Sequence, residues 1–367
     1  MVSTHRLRQI RHLDGLNIAK AAEQFGVASS TYGAIERGSR AFTLDAARIG
    51  YSKERLCSLP QLSEPLHRQR ASVGEKIIQS NKEQLRLAGE LLLELRDREP
   101  KCPIVTIRRL ESPRSHADID AAAAEVRYML GVGEDEPILN LTSAVERAGV
   151  CLTPVYDDPI RVSKSPKRVD GLSAWVDHTA QPVIGINPES SGDRFRLTLA
   201  HELGHLVMHR SPTECTEDEA FLFASVLLVP TERFDELIPN RPMMRHFEAL
   251  KRTWGVSIAA GVYRAQELGK LDDDRYRSLQ MQMAKWRHRE PGEFEPRLGR
   301  LLDRLIEHQG GPAIVASELG IAEDHIRRVI SWTPRAKLHS LPGGSDMSGD
   351  SRDLDIGNGN TVHLFSV

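Results

Sequence analysis

The stretch "RFRLTLAHELGHLVMHR", residues 194–210, limits the fold of this chain more than any other. "RLTLA" before and "LVMH" after its polar centre make a helix apolar enough for a core, yet its polar residues are strung along one side. Charged groups taken out of water without partners are costly, so the helix must pack against something that satisfies them. At 3.6 residues per turn, positions four apart share a face, and His201 and His205 project together as a pair of imidazole ligands for a divalent ion. Glu202 falls beside the place a water would take on such an ion, where a carboxylate can receive a proton and later pass it to a leaving amine. Gly204, between the histidines, lets another backbone come close. A bare H-E-x-x-H also arises by coincidence, so its surroundings have to decide.

A catalytic zinc site needs a third protein ligand. The segment "ECTEDEAFLFASVLLVP", residues 214–230, offers one, since Glu217, Ala220, Phe221, Ala224 and Leu228 fall on one helical face. The small Ala220 and Ala224 would let this helix press against the histidine helix. Glu214, Asp218 and Glu219 are alternatives, read instead as a solvated acidic helix start that complements the macrodipole. Cys215 could compete as a thiolate and is read as a small residue at the helix start. With Cys57, Cys102 and Cys151 it forms no C-x-x-C pair, which speaks against a disulfide framework and for a reducing, cytoplasmic setting.

A chain of 367 residues accommodates two or three domains. Its formal net charge of −2 excludes a polycation, so any nucleic-acid contact must come from a local patch. No apolar run approaches the roughly 18–20 residues needed to cross a bilayer. The basic N-terminus lacks the apolar core of a signal peptide. Composition divides the chain into a head of short helices over 1–60, a helical linker over 61–115, an α/β unit over 116–235, a helical part over 236–335 and a Gly-, Ser- and Asp-rich flexible tail over 336–367. Within the linker, "VGEKIIQSNKEQLRLAGELLLELRDRE" predicts a long helix with Ile77, Leu85, Ala88, Leu92 and Leu95 as its buried stripe. A homodimer interface or spacer is the other use open to that helix; without a sustained heptad, ordinary packing is preferred.

"AHELGH", followed by E-x-x-A-x-x-F-A-x-x-L-L-x-P filled by Glu217, Ala220, Phe223, Ala224, Leu227, Leu228 and Pro230, resembles the ImmA/IrrE family of metallopeptidases. The preceding "VDGLSAWVDHTAQPVIGINPESSGDRFRLTLAHELGH" is similar to the family's strand-turn-strand-helix, and the resemblance covers about residues 115–290. It implies a multidomain, mainly α chain whose centre is an α+β zincin-like metallopeptidase with a small sheet, followed by a C-terminal helical domain. It further implies one zinc ion per chain held by His201, His205 and Glu217, Glu202 as general base, and a substrate that is a repressor of the lambda-repressor-like type. His209 continues the histidine face and is read as supporting the site, because a fourth ligand would close it. Trp175, Asp177 and His178 are expected on strands beside the cleft, aligning a substrate backbone or serving the fold.

Residues 6–56 resemble an XRE-type helix-turn-helix bundle. That resemblance implies binding to double-stranded DNA, with Ser29, Ser30, Thr31 and Tyr32 facing the major groove and Arg37 and Arg40 near phosphates. Ile18 stands where a polar residue is usual, and no Arg, Gln or Asn occupies the first turn of the recognition helix. The alternative is that the head pairs with the related fold of its repressor substrate. A rival for the whole chain is a helix-turn-helix transcription factor, or a toxin–antitoxin or stress-response component, whose peptidase-like domain senses or binds a partner. "GGPAIVASELGIAEDHIRRVI", residues 310–330, has a similar cadence and is read as plain packing.

Overall fold

A computed structural model describes residues 4–41, 45–58, 60–63, 75–156, 169–176, 181–211, 213–286 and 290–332. The expected tail over 336–367, together with Asp177 and His178, lies outside the described residues. The described chain is mainly helical with one small sheet, and none of its helices is long and apolar enough to cross a membrane.

The head contains α1 (Thr4–Leu13), α2 (Ile18–Phe25), α3 (Ser29–Glu36) and the short α4 (Lys53–Leu56). Asn17 caps α2 by accepting the Lys20 N–H at 2.9 Å. Leu7, Ala21, Ala22, Phe25, Tyr32 and Ile35 gather into a small core. Tyr32 departs from the expectation that it faces a DNA groove: only 1% of it is exposed and its ring lies 5.9 Å from that of Phe25. Tyr32 and Ile35 are three apart and both point inward, which leaves Ser29 and Ser30 outside.

Helix α5 (Glu75–Arg96) departs from the expected linker. Leu85, Ala88, Leu92 and Leu95 are buried as the periodicity predicts, but so are Leu87, Leu91, Gln84 and Glu90 beyond that stripe. Most of its apolar surface is buried against other described elements of the chain. Glu90 binds the head: Arg6 donates to both of its oxygens at 2.7 Å, and Arg55 donates at 3.0 Å.

Next come α6 (His116–Met129), α7 (Leu141–Arg147), β1 (Cys151–Pro154), β2 (Gly171–Val176), β3 (Gln181–Ile186) and α8 (Gly192–Met208). The sheet order is β1-β3-β2, with β1 parallel and β2 antiparallel to the central β3. Alternate residues serve different cores, as the two-residue period of a strand requires. Cys151, Leu172, Ala174, Val176 and Val183 pack with α5, whereas Leu152, Trp175, Ile184 and Ile186 pack with α8. Two helices therefore sandwich the sheet, which explains why every residue of β3 is buried.

Beyond α8 lie α9 (Thr216–Leu228), α10 (Thr231–Leu237), α11 (Met244–Trp254), α12 (Ile258–Glu267), α13 (Asp273–Met283), α14 (Leu301–His308), α15 (Pro312–Leu319) and α16 (Glu323–Ile330). The end of α9 is capped by cations, with Arg264 donating to Ser225 O at 3.0 Å and Val229 O at 2.6 Å, and Arg127 to Leu227 O at 2.7 Å. The expected C-terminal helical domain does not gather around a core of its own. Helices α11–α13 join the core of α8, whereas α14–α16 join α5, β1 and the head. In the second group, His325 bridges Tyr51 Oη and Asp14, at 2.9 Å each. Short helices expose too little apolar area to stand alone, so they fill whichever face is open.

Candidate metal centre

Helix α8 projects His201 and His205 on one face, and the first turn of α9 brings Glu217 opposite them. Their Nε2 atoms lie 3.0 Å apart. Glu217 Oε2 is 3.4 Å from His201 Nε2, and its Oε1 is 3.5 Å from His205 Nε2. Ligands bound at ~2.0–2.1 Å in a tetrahedral zinc site sit about 3.3 Å from one another, so the three side chains fit such an ion without rearrangement. Among the described residues they form the one group of three His, Cys, Asp or Glu side chains placed to hold a metal. Glu214, Asp218 and Cys215 are exposed and take no part.

The close approach of α9 depends on Gly204, where a Cβ would come within 2.8 Å of Phe223 Cδ1. Phe221, expected on the packed face, instead lies partly exposed beside Tyr263, and Phe223 fills the contact. Gly204→Val should force the two helices apart, at a cost of about 1–3 kcal/mol, and loosen the ligand set. Thermal unfolding and competition for zinc against a fluorescent chelator would measure both effects; unchanged zinc affinity would show that this contact does not set the ligand spacing.

Burial, working against the Glu217 hydrogen bond, pushes His205 down to about 4. Burial alone would raise Glu217, but hydrogen bonds from His201 and His205 outweigh it and hold the carboxyl well below its usual range. A neutral imidazole and an ionised carboxylate are the forms that bind a metal. Glu202 is buried beside them and accepts a 2.7 Å hydrogen bond from Ser173 Oγ. Burial pushes its carboxyl up to about 7, although the neighbouring His201 and the Ser173 bond both oppose the rise. A proton carrier balanced near neutrality suits acid–base work. Strand β2 walls it in, since a Cβ on Gly171 would lie 2.8 Å from Glu202 Cγ.

A second layer holds the imidazoles. His205 Nδ1 is 3.0 Å from His209 Nδ1, and His209 Nε2 is 3.0 Å from Glu219 Oε2. With His205 Nε2 turned to the ligand cluster, the bonding pattern assigns its Nδ1–H to His209, whose Nε2–H then donates to Glu219. Glu219 is thus not the solvated helix-start acid that its sequence context predicts. Trp175 is buried and donates from Nε1 to Leu206 O at 3.0 Å.

The outer edge of β2 is partly covered. Ser63 N–H donates to Trp175 O at 2.8 Å, and Trp175 N–H donates to Ser63 Oγ at 2.9 Å. Backbone groups two residues apart point the same way, so those of Gly171 and Ser173 face that edge too, beside Glu202. In the head, Ser29, Ser30, Arg37 and Arg40 are exposed, and Thr31 accepts a 3.3 Å hydrogen bond from Arg40. None of these head residues contributes to the metal centre. Ser173 and Glu219 escaped the sequence reading because their partners lie on other elements; the remaining hint was a polar residue inside an apolar strand.

The family model described as the IrrE N-terminal-like domain matches residues 159–266, a stretch that includes β2, β3, α8 and α9. This match supports the ImmA/IrrE resemblance and a metallopeptidase-like domain at the centre of the chain. No curated protein matches the chain.

Proposed function

We propose that this chain is a cytoplasmic zinc endopeptidase that inactivates a lambda-repressor-like protein by limited cleavage. The observation that carries this reading is the convergence of His201, His205 and Glu217 at 3.0–3.5 Å, with Glu202 buried alongside. Zinc, when bound, supplies a Lewis acid and a source of nucleophile at neutral pH. The two imidazoles and Glu217 would hold it. Glu202 takes a proton at its carboxylate and returns it to the leaving amine, while Ser173 keeps that carboxylate aimed. His209 and Glu219 keep the His205 ring in its ligating orientation. The β2 edge at Gly171 and Ser173 offers backbone donors and acceptors to an extended peptide. The test is to incubate the zinc-loaded chain with a repressor-like protein encoded beside its own gene. A discrete cut that a chelator prevents is expected; an intact repressor under both conditions would remove the reading.

For the head we propose contact with double-stranded DNA, with Ser29, Ser30 and Thr31 toward base edges and Arg37 and Arg40 toward phosphates. Exposure of both arginines supports this. Arg37→Gln and Arg40→Gln should each lower the slope of log affinity against log salt by about one, as measured by fluorescence anisotropy with a duplex. A slope unchanged in both variants would favour a head that recognises the repressor instead.

A further inference from the structure

Two cations stand beside the metal centre with no carboxylate partner among the described residues. Arg109 and Arg210 line a crevice of about 10 Å³ with Ser173, Trp175, His205 and His209, so a side chain would meet the two guanidinium groups at its mouth rather than inside it. The Arg109 guanidinium lies over the Trp175 ring, 5.6 Å from its centroid, and its buried Nε has no hydrogen-bond partner. Burial, with the neighbouring Arg210 charge added, disfavours the charged form of Arg109. Like charges brought together in a half-desolvated place are costly unless something answers them.

A bland explanation would be that both arginines neutralise the C-terminal end of α8. The acceptors there are already taken. His205 O receives His209 N–H at 3.1 Å, Leu206 O receives Trp175 Nε1 at 3.0 Å, Val207 O receives Leu110 N–H at 2.7 Å and Met208 O receives Ser112 Oγ at 3.1 Å. Among the described residues no carboxylate pairs with either guanidinium, whereas nearby cations such as Arg108 and Arg194 are paired. The same bonds from Leu110 and Ser112 pin the segment that carries Arg109, so its guanidinium is held toward the cleft.

We propose that Arg109 and Arg210 form a carboxylate-binding subsite beside the metal centre, which selects an aspartate or glutamate side chain in the cleaved segment of the substrate. The proposal rests on the peptidase reading above and names its substrate class: an acidic peptide. A carboxylate accepts paired N–H bonds from a guanidinium, and an extended peptide on the β2 edge passes this cleft because Ser173 belongs to both.

The experiment uses the full zinc-loaded chain carrying Glu202→Gln, so that binding is read without turnover. Fluorescein-labelled octapeptide amides of alanine and serine, each with a single glutamate or glutamine moved through the positions, are titrated by anisotropy at 150 mM salt. Glutamate at one or two adjacent positions should bind about fivefold to tenfold tighter than glutamine there. Arg210→Gln, at an exposed site that leaves the core untouched, should reduce the preference. Arg109→Gln should abolish it and Arg109→Lys should restore part of it. Equal binding of glutamate and glutamine peptides, no binding of either, or a preference only for a glutamine peptide with a free terminal carboxylate would each overturn the proposal. If the preference holds but no repressor is ever cut, the peptidase reading falls and the carboxylate subsite stands.

Discussion

Glu202→Gln is expected to slow repressor cleavage by about 10²–10⁴-fold while zinc stays bound. The amide has nearly the same shape, and its oxygen can still accept the Ser173 hydroxyl, so the wall formed by β2 need not move. What it cannot do is take up and release a proton. Glu202 is not among the three side chains placed to hold a metal, and only 4% of it is exposed, so solvent has poor access to replace it. Single-turnover cleavage together with zinc content by atomic absorption separates the two effects. Full-rate cleavage by the variant would assign proton transfer to another group.

Glu90→Ala should cost about 3–5 kcal/mol of stability, because it leaves a buried cation without its counter-charge. Arg6 has no exposed side-chain surface and donates to both Glu90 oxygens, and Arg55 relies on the same carboxylate. Arg55 retains Glu94, and Arg6 retains Ser58 O at 2.8 Å and Gln9 at 2.7 Å, but neither Arg6 contact carries a negative charge. Because the pair joins α1 to a helix inside the sheet core, the loss should appear as one earlier transition for the whole chain in urea. A variant that loses less than about 1 kcal/mol would show that water reaches Arg6 and solvates it.

The metal cluster was legible because its logic is local. His201 and His205 share a helical face by period alone, and Ala220 and Ala224 mark where α9 comes close enough to deliver Glu217. Of the supporting layer, His209 was legible because it continues the histidine face, whereas the Ser173 hydroxyl and the Glu219 carboxylate were not, because they find their roles across elements that no spacing connects. Tyr32 misled for a related reason. Its phenol suits a groove in DNA, but the three-residue step to Ile35 placed it inside, and packing outweighed polarity. The depth of α5 was not legible either: a polar-looking helix with lysines and glutamates at its start becomes almost wholly buried in its second half. Hydropathy along one helix cannot reveal that a sheet lies on one side and a second set of helices on the other.

The stretch that matches the IrrE-like family begins at residue 159, yet one wall of its sheet is built from residues 75–96. A gene fragment trimmed to the recognised module would express strands with Val176, Val183 and Leu172 open to water, and would aggregate before it could bind a metal. The smallest piece able to fold alone must start upstream of the module that gives it its resemblance, which makes the head's neighbour a structural component of the metallopeptidase-like domain rather than a detachable spacer.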